Sequence, residues 1–220
     1  MKNVLEIDSV SKAFDQNRVL TDVYLKCETD EIIGLLGRNG TGKSTLLKIL
    51  FGTQGAYSKF IRINGKVYEK PYRASTEVAY LSQDSFLLGH LRVEEAIKFY
   101  LGNKKLSLFW NDEIIGHLLK NKVNTLSGGE IRYLEIKLLL NLPVKFVLLD
   151  EPFNGIAPVV VEVLKAMIRD HAQDKGIILT DHDYQNVLNV ATRYCLLYDG
   201  AIKSIENRDD LVRWGYLLRA

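Results

Sequence analysis

No apolar run in this 220-residue chain approaches the roughly 20 residues that a membrane-crossing helix needs. Basic blocks are missing as well: 29 lysines and arginines stand against 27 aspartates and glutamates. The chain has no electrostatic footprint for nucleic acid, and no nucleic-acid partner is expected. Cysteine is reduced to Cys27 and Cys195, each inside a strand-like run and neither at metal-ligand spacing, so both read as reduced core thiols. Low-complexity segments, long linkers and internal repeats are absent. The start, Met1-Lys2-Asn3-Val4, shows no secretory apolar segment, and a cytosolic location is expected. What remains is ordinary globular composition, 47% hydrophobic and 25% charged. The length suits one well-buried α/β domain with a small appended subdomain.

The pattern begins with loosely alternating apolar positions at Val4 to Val10 and a second apolar segment at Val19 to Leu25, both read as strands. Phe60-Ile61-Arg62-Ile63 and Lys66-Val67-Tyr68 flank Asn64-Gly65, a two-residue hairpin signal that adds an antiparallel β-region. Val93, Ala96, Ile97, Tyr100 and Leu101 recur at helical spacing, and Glu113 to Lys120 predicts a second short helix. Ile131 to Leu140 then reads as a buried helix, Phe146 to Leu149 as a strand, Val159 to Arg169 as a helix and Ile177 to Thr180 as a strand. Such alternation requires a mostly parallel sheet covered by helices. A terminal hairpin over Tyr194 to Ile205 turns at Asp199-Gly200, and a short helix is expected near Asp209 to Leu218.

The strongest chemical signal is Gly37-Arg38-Asn39-Gly40-Thr41-Gly42-Lys43-Ser44, a phosphate-cradling P-loop. The apolar run Ile32 to Leu36 feeds into it as a strand, and Ser44 to Leu50 leaves it as a helix. Glycines let successive N–H groups face an anion, and the helix N-terminus adds unpaired donors. Lys43 then reaches the β- and γ-phosphates of a nucleoside triphosphate, and Ser44 presents its hydroxyl to Mg2+. Phe146-Val147-Leu148-Leu149-Asp150-Glu151 is an apolar strand ending in two carboxylates. Asp150 suits the Mg2+ shell, and Glu151 suits the orientation and deprotonation of water. Leu126-Ser127-Gly128-Gly129-Glu130 opens the following helix. Two readings stand there: Ser127 as a plain N-cap, or a second phosphate-binding terminus supplying half of a shared pocket.

In this motif order the whole chain resembles the ATP-binding-cassette ATPases. Gly37 to Ser44 matches the family's Walker A element, Phe146 to Asp150 followed by Glu151 its Walker B element, and Leu126 to Glu130 its signature. Gln83, after Val78-Ala79-Tyr80-Leu81-Ser82, falls at the Q-loop position, and His182, after Ile177 to Thr180, at the switch-histidine position. Phe14 aligns with the adenine-stacking aromatic, and Val19 completes an apolar floor. The resemblance implies an α/β P-loop NTPase core with a mostly parallel sheet, an N-terminal antiparallel β-subdomain and a small helical subdomain. It divides the chain into a core over 1–83 and 126–220 and a helical subdomain over 84–125. It further implies ATP and Mg2+ as cofactors, with Gly37, Asn39, Gly40, Thr41, Gly42, Lys43, Ser44 and Thr45 on the nucleotide. Ser44, Gln83 and Asp150 lie at the metal, and Glu151, Gln83 and His182 serve hydrolysis.

In such a family two subunits bind head to tail, so that Ser127, Gly128, Gly129 and Glu130 of one face the ATP on the other, as a homodimer or with another ATPase of the family. A separate transmembrane permease is the implied partner, which places the chain peripherally on the cytoplasmic face of the membrane. Phe86, Leu87, Leu88 and Leu106 to Trp110 are apolar candidates for its docking groove, and Leu106 to Trp110 read equally well as core of the helical subdomain. The alternative is a soluble, non-transport ATPase of the family acting in translation or DNA maintenance. The nearest subgroup likeness is to ATPase subunits of branched-chain amino-acid uptake and lipopolysaccharide export. Two positions depart from the family: Ala157 stands in the D-loop Phe153 to Pro158 where aspartate is usual, and Arg38 replaces a common proline. The stretch from Gln83 to Leu126 is also short.

Overall fold

Alternating apolar side chains carry the chain through two long strands, β1 (Val4–Phe14) and β2 (Asn17–Glu28), before a short apolar one, β3 (Glu31–Leu36). The computed structural model describes residues 2–74 and 76–217. After β3 come α1 (Lys43–Phe51), β4 (Ser58–Ile63), β5 (Lys66–Val67) and β6 (Val78–Leu81), then α2 (Val93–Leu101), α3 (Ser107–Trp110) and α4 (Gly128–Asn141). The last part contains β7 (Phe146–Asp150), α5 (Pro158–Ala172), β8 (Gly176–Thr180), α6 (Tyr184–Val190), β9 (Arg193–Tyr198), β10 (Ala201–Ile205) and α7 (Arg208–Arg213).

Two sheets result. One is antiparallel in the order β2-β1-β4-β5; the other runs β10-β9-β3-β8-β7-β6, parallel except for its β10 edge. Strands β7 and β8 are buried at every position, as strands covered on both faces must be. Their period-2 alternation sorts side chains between two cores. Ile33, Leu35, Phe146, Leu148 and Ile178 join Leu46, Leu47, Ile49 and Leu50 of α1 in a layer shared with β1, β2 and β4. Ile32, Leu36, Val147, Leu149, Ile177 and Leu179 face the opposite core with α2, α4 and α5. The phosphate-loop helix α1 is thus held between the two sheets. The C-terminal ends of β3, β7 and β8 open toward one edge, where ligands bind in open α/β sheets.

Both two-residue hairpins form as the sequence predicts: Asn64 and Gly65, and Asp199 and Gly200, all have positive φ, as tight hairpin turns demand. Cys27 and Cys195 are free and buried. The helix expected over Glu113 to Lys120 is instead a turn followed by a single 3-10 turn at Gly116–Leu118. The Asp112 carboxylate takes the N–H groups of Ile114 and Ile115 at 2.9 and 2.8 Å, and this diverts the chain from α-helical bonding. The last helix ends at Arg213 rather than running to Leu218, which lies outside the described residues. Between residues 84 and 125 the only helix longer than one turn is α2.

Candidate nucleotide site

Gly42 caps α1 with φ +103° and offers no side chain to the helix end. Its carbonyl already accepts the first helical bond, from Leu46 N–H at 2.8 Å, while the N–H groups of the first turn are left for an incoming anion. A Cβ at Gly42 would lie 2.4 Å from Val19 Cγ1, so glycine here serves both the left-handed turn and the approach of β2. Val19 and Phe14 extend this wall. Phe14 is exposed, and Lys12 Nζ sits 4.8 Å from its ring centroid. Together with Asn39, Gly40, Lys43, Ser44, Thr45, Gln83 and Glu151 these residues line an open cavity of ≈ 300 Å³.

Lys43 is buried and donates to the carbonyls of Gly37 at 2.6 Å and Arg38 at 3.2 Å. Two of its three N–H bonds are thereby engaged, which leaves one donor at the cavity wall. Burial lowers its pKa, opposed by the charges of Glu151, Asp150 and Asp181. Ser44 donates its hydroxyl to Asp150 Oδ1 at 2.9 Å, and Thr180 donates to the same oxygen at 2.9 Å. Tyr80 donates to Oδ2 at 3.0 Å. The carboxylate has no exposure at all. With its proton directed at Asp150, the Ser44 oxygen keeps its lone pairs toward the cavity, which suits a metal ligand.

Among the described residues no group of three or more His, Cys, Asp or Glu could hold a metal ion. Mg2+ needs no such group, because it binds through one or two carboxylates together with water and substrate phosphates. The pair Ser44 and Asp150 fits that donor set.

Glu151 follows Asp150 with φ +50°, a left-handed conformation that a non-glycine residue holds only under constraint. The constraint is visible. Its N–H donates to the Thr180 carbonyl at 3.0 Å, and Arg132 from α4 donates to the carbonyls of Asp150 at 2.6 Å, Glu151 at 3.1 Å and Ser82 at 2.5 Å. The buried Arg132 lies 3.6 Å from Glu135, whose Oε1 accepts the Phe86 N–H at 3.0 Å. One guanidinium therefore ties the chain beside Gln83 to the chain at Glu151.

The sequence-predicted residues divide into three groups. Phe14, Val19, Asn39, Gly40, Gly42, Lys43, Ser44, Thr45, Gln83 and Glu151 line the cavity, with Asp150 directly beneath Ser44. Gly37 and Thr41 shape the loop from outside: the Gly37 carbonyl holds Lys43, and Thr41 donates to the Arg38 carbonyl at 2.9 Å. Ser127, Gly128, Gly129, Glu130 and His182 do not line the cavity of their own chain. Ser127 closes the end of α4 in a capping box, its N–H donating to Glu130 Oε2 at 2.7 Å and its hydroxyl at 2.8 Å. Gly128 borders a neighbouring cavity of ≈ 430 Å³ that also contains Gln83, Arg132 and Glu151. His182 is exposed, with Nδ1 3.4 Å from Asp181, and lines a further cavity beside Asn154 and Gly155.

Four residues had no assigned role in the sequence: Tyr80, Thr180, Arg132 and Asp181. Asp181 is buried and accepts the N–H groups of Phe153 and Asp183 at 3.2 and 2.9 Å; burial raises its pKa. Register could have found Thr180, which pairs with Asp150 across β7 and β8. The others act over sequence gaps that periodicity does not reach.

The site has the make-up of a P-loop nucleoside-triphosphate cradle on a two-sheet α/β fold. A family model described as ABC transporter matches residues 20–154. The lipopolysaccharide export system ATP-binding protein LptB of Haemophilus influenzae is 31% identical over 214 residues, covering 91% of this chain and 89% of its own. LptB of Acidithiobacillus ferridurans is 30% identical, covering 96% and 93%. A probable sulfate/thiosulfate import ATP-binding protein, CysA of Chlorella vulgaris, is 29% identical over 93% and 92%. The solved structure of an ATP binding subunit of an ABC transporter superimposes with a TM-score of 0.84 at 24% identity, covering 99% of this chain and 95% of that one. The chain belongs to the ABC transporter family, among its ATP-binding proteins.

Proposed function

We propose that this protein hydrolyses Mg2+-bound ATP between two copies of the chain, or between this chain and another ATPase of the family, and so drives a separate membrane permease. The observation that carries the reading is the 2.9 Å bond from Ser44 to Asp150. It joins the phosphate loop to the acidic strand end beside a cavity lined by Lys43 and Glu151. Lys43 and the open end of α1 bind the phosphates, and Phe14 with Val19 receives the base. Ser44, Asp150 and Gln83 would hold Mg2+, which would offset phosphate charge when bound. Glu151 orients and deprotonates the attacking water. His182 lines a separate cavity in this chain, and its role toward the γ-phosphate and Glu151 is proposed from its position after β8. Ser127 to Glu130 lie away from their own cavity, which favours their use on the nucleotide of a second copy.

No described helix is long and apolar enough to cross a membrane, so a permease partner places the chain peripherally, on the cytoplasmic face. Of the apolar docking candidates, Leu87, Leu106 and Phe109 are buried, while Leu88, Leu108 and Trp110 are exposed and free for a partner. Phe99 is exposed on the same helical region. The functionally named relatives above serve export and import alike, so they favour transport over translation or DNA maintenance and leave the cargo unspecified. The test is Glu151→Gln. Hydrolysis should fall at least about a hundredfold, the lower range for a positioned base, while ATP drives the variant into a stable dimer in analytical ultracentrifugation. A variant that stays monomeric with saturating Mg2+ and ATP, or turns over normally, removes the proposal.

A further inference from the structure

Arg38 lies within the phosphate loop but points away from the cavity. Its Nη2 donates to the Gly215 carbonyl at 2.7 Å, across 177 positions of sequence. That carbonyl is presented by a defined turn at the end of α7. Gly215 has φ +66°, its N–H donates to Val212 O at 2.9 Å, and Tyr216 N–H donates to Leu211 O at 2.8 Å. These are the paired bonds of a Schellman motif, which fixes the direction of the chain leaving the helix.

The turn is seated on the sheet side of the loop. Trp214 packs 5.7 Å from Tyr198 with Lys203 Nζ 5.0 Å from its ring, and Tyr216 meets Tyr184 edge-on at 6.2 Å. At the other end of Arg38, its carbonyl accepts Thr41 N–H at 3.3 Å, the Thr41 hydroxyl at 2.9 Å and Lys43 Nζ at 3.2 Å. One residue is therefore gripped by the C-terminal turn through its side chain and holds the phosphate-binding lysine through its backbone.

We propose that residues 208–217 form a latch on the phosphate loop, and that Arg38 is a positioning residue that sets nucleotide affinity through Gly215. The inference rests on the reading of Gly37 to Ser44 as the nucleotide cradle. A glycine-rich loop left free must be ordered when phosphate arrives, and that ordering weakens binding; a loop already held is pre-organised. Proline at this position would stiffen the loop locally. Arginine does it by reaching a second segment, so the state of the C-terminal turn becomes part of the ATP site.

The test uses full-length Glu151→Gln protein titrated with Mg2+ and ATP by calorimetry, alone and with Arg38→Ala, Gly215→Ala, Gly215→Asn and the Arg38→Ala/Gly215→Ala pair. A Cβ at Gly215 meets no atom within 4 Å, so alanine strains φ without a clash, whereas asparagine tolerates the left-handed region. Arg38→Ala and Gly215→Ala should each weaken ATP about three- to tenfold, the loss of one charge-assisted bond in an exposed setting. Gly215→Asn should bind as the parent does, and the pair should be no worse than either single change. Hydrogen exchange at residues 37–43 without nucleotide should quicken in both single variants. Unchanged affinity in both, or losses that multiply in the pair, would overturn the latch while ATP binding by the parent stands. A parent that binds no ATP would overturn the cradle reading and the latch with it.

Discussion

The hydroxyl of Tyr80 donates to Oδ2 of Asp150 at 3.0 Å, on the side of the carboxylate opposite the bonds from Ser44 and Thr180. Burial, followed by the charge of Asp150, pushes the phenol pKa far above its ordinary value, so Tyr80 remains a donor at any working pH. Its ring is fixed by Phe51, 5.4 Å away at the end of α1. Removing the hydroxyl as Tyr80→Phe frees one carboxylate oxygen in a buried setting. Supporting partners of metal ligands commonly affect affinity by about tenfold or more. Tyr80→Phe should weaken Mn2+ binding, read by electron paramagnetic resonance with a non-hydrolysable ATP analogue, by about that factor. Equal Mn2+ affinity would separate Tyr80 from metal positioning.

Arg132 holds three backbone carbonyls and faces Glu135 in the interior. Arg132→Met leaves Glu135 without its cation, and a broken buried pair costs about 3–5 kcal/mol. Denaturant unfolding should show that loss. The double change Arg132→Met/Glu135→Leu should recover a substantial part of it; a double variant as unstable as the sum of both single changes would contradict the pairing.

Ala157 is the N-cap of α5 and makes no side-chain bond to the helix end. Pro158 has no N–H and Val160 N–H already reaches the Ala157 carbonyl at 2.9 Å, so Ala157→Asp supplies a carboxylate to the Val159 N–H, a gain of about 0.5–2 kcal/mol. The melting temperature at neutral pH should rise. A fall would mean that the acid meets something the free helix end does not reveal.

Asp112 accepts hydrogen bonds from Ile114 and Ile115 N–H, from Tyr133 at 2.8 Å and from Lys137. Burial alone would raise its pKa, but these donors, Lys137 foremost, bring it below 3.8. A depressed folded-state pKa means stabilisation that is complete above the unfolded value of 3.8 and is lost as pH falls through the folded value. Asp112→Asn should therefore be less stable than the native chain at pH 7, by about 1–3 kcal/mol for the bonds lost. The two should converge as the buffer is taken below pH 4. A constant difference across that range would assign the effect to packing.

The strand, loop and helix from Glu31 to Phe51 and both tight hairpins were legible because their signals are local: glycine spacing, an apolar run, Asn-Gly and Asp-Gly pairs. So were the burial and separation of β7 and β8. Helix α6 escaped notice because it spans only seven residues, Tyr184–Val190, too few for a period to declare itself. The failed helix near Glu113 traces to Asp112, whose carboxylate outcompetes helical carbonyls for two amides, a choice that propensity cannot foresee. Within the site, Lys43, Ser44, Asp150 and Glu151 lie in motifs. Tyr80 and Arg132 do not, since their roles depend on partners 70 and 18 positions away.

The helices α1 and α4, capped by Gly42 and Ser127, differ in what their first turns offer an anion. Gly42 brings no side chain to the start of α1, whereas at α4 the Glu130 carboxylate takes the Ser127 N–H and the Ser127 hydroxyl takes the Glu130 N–H, leaving the Gly128 and Gly129 N–H groups outside the capping box. An anion meets only backbone donors at α1, but at α4 it meets two glycine amides with a carboxylate beside them. Under the function proposed above, the open loop is therefore expected to load before the charge of Glu130 is brought against a neighbour's phosphates.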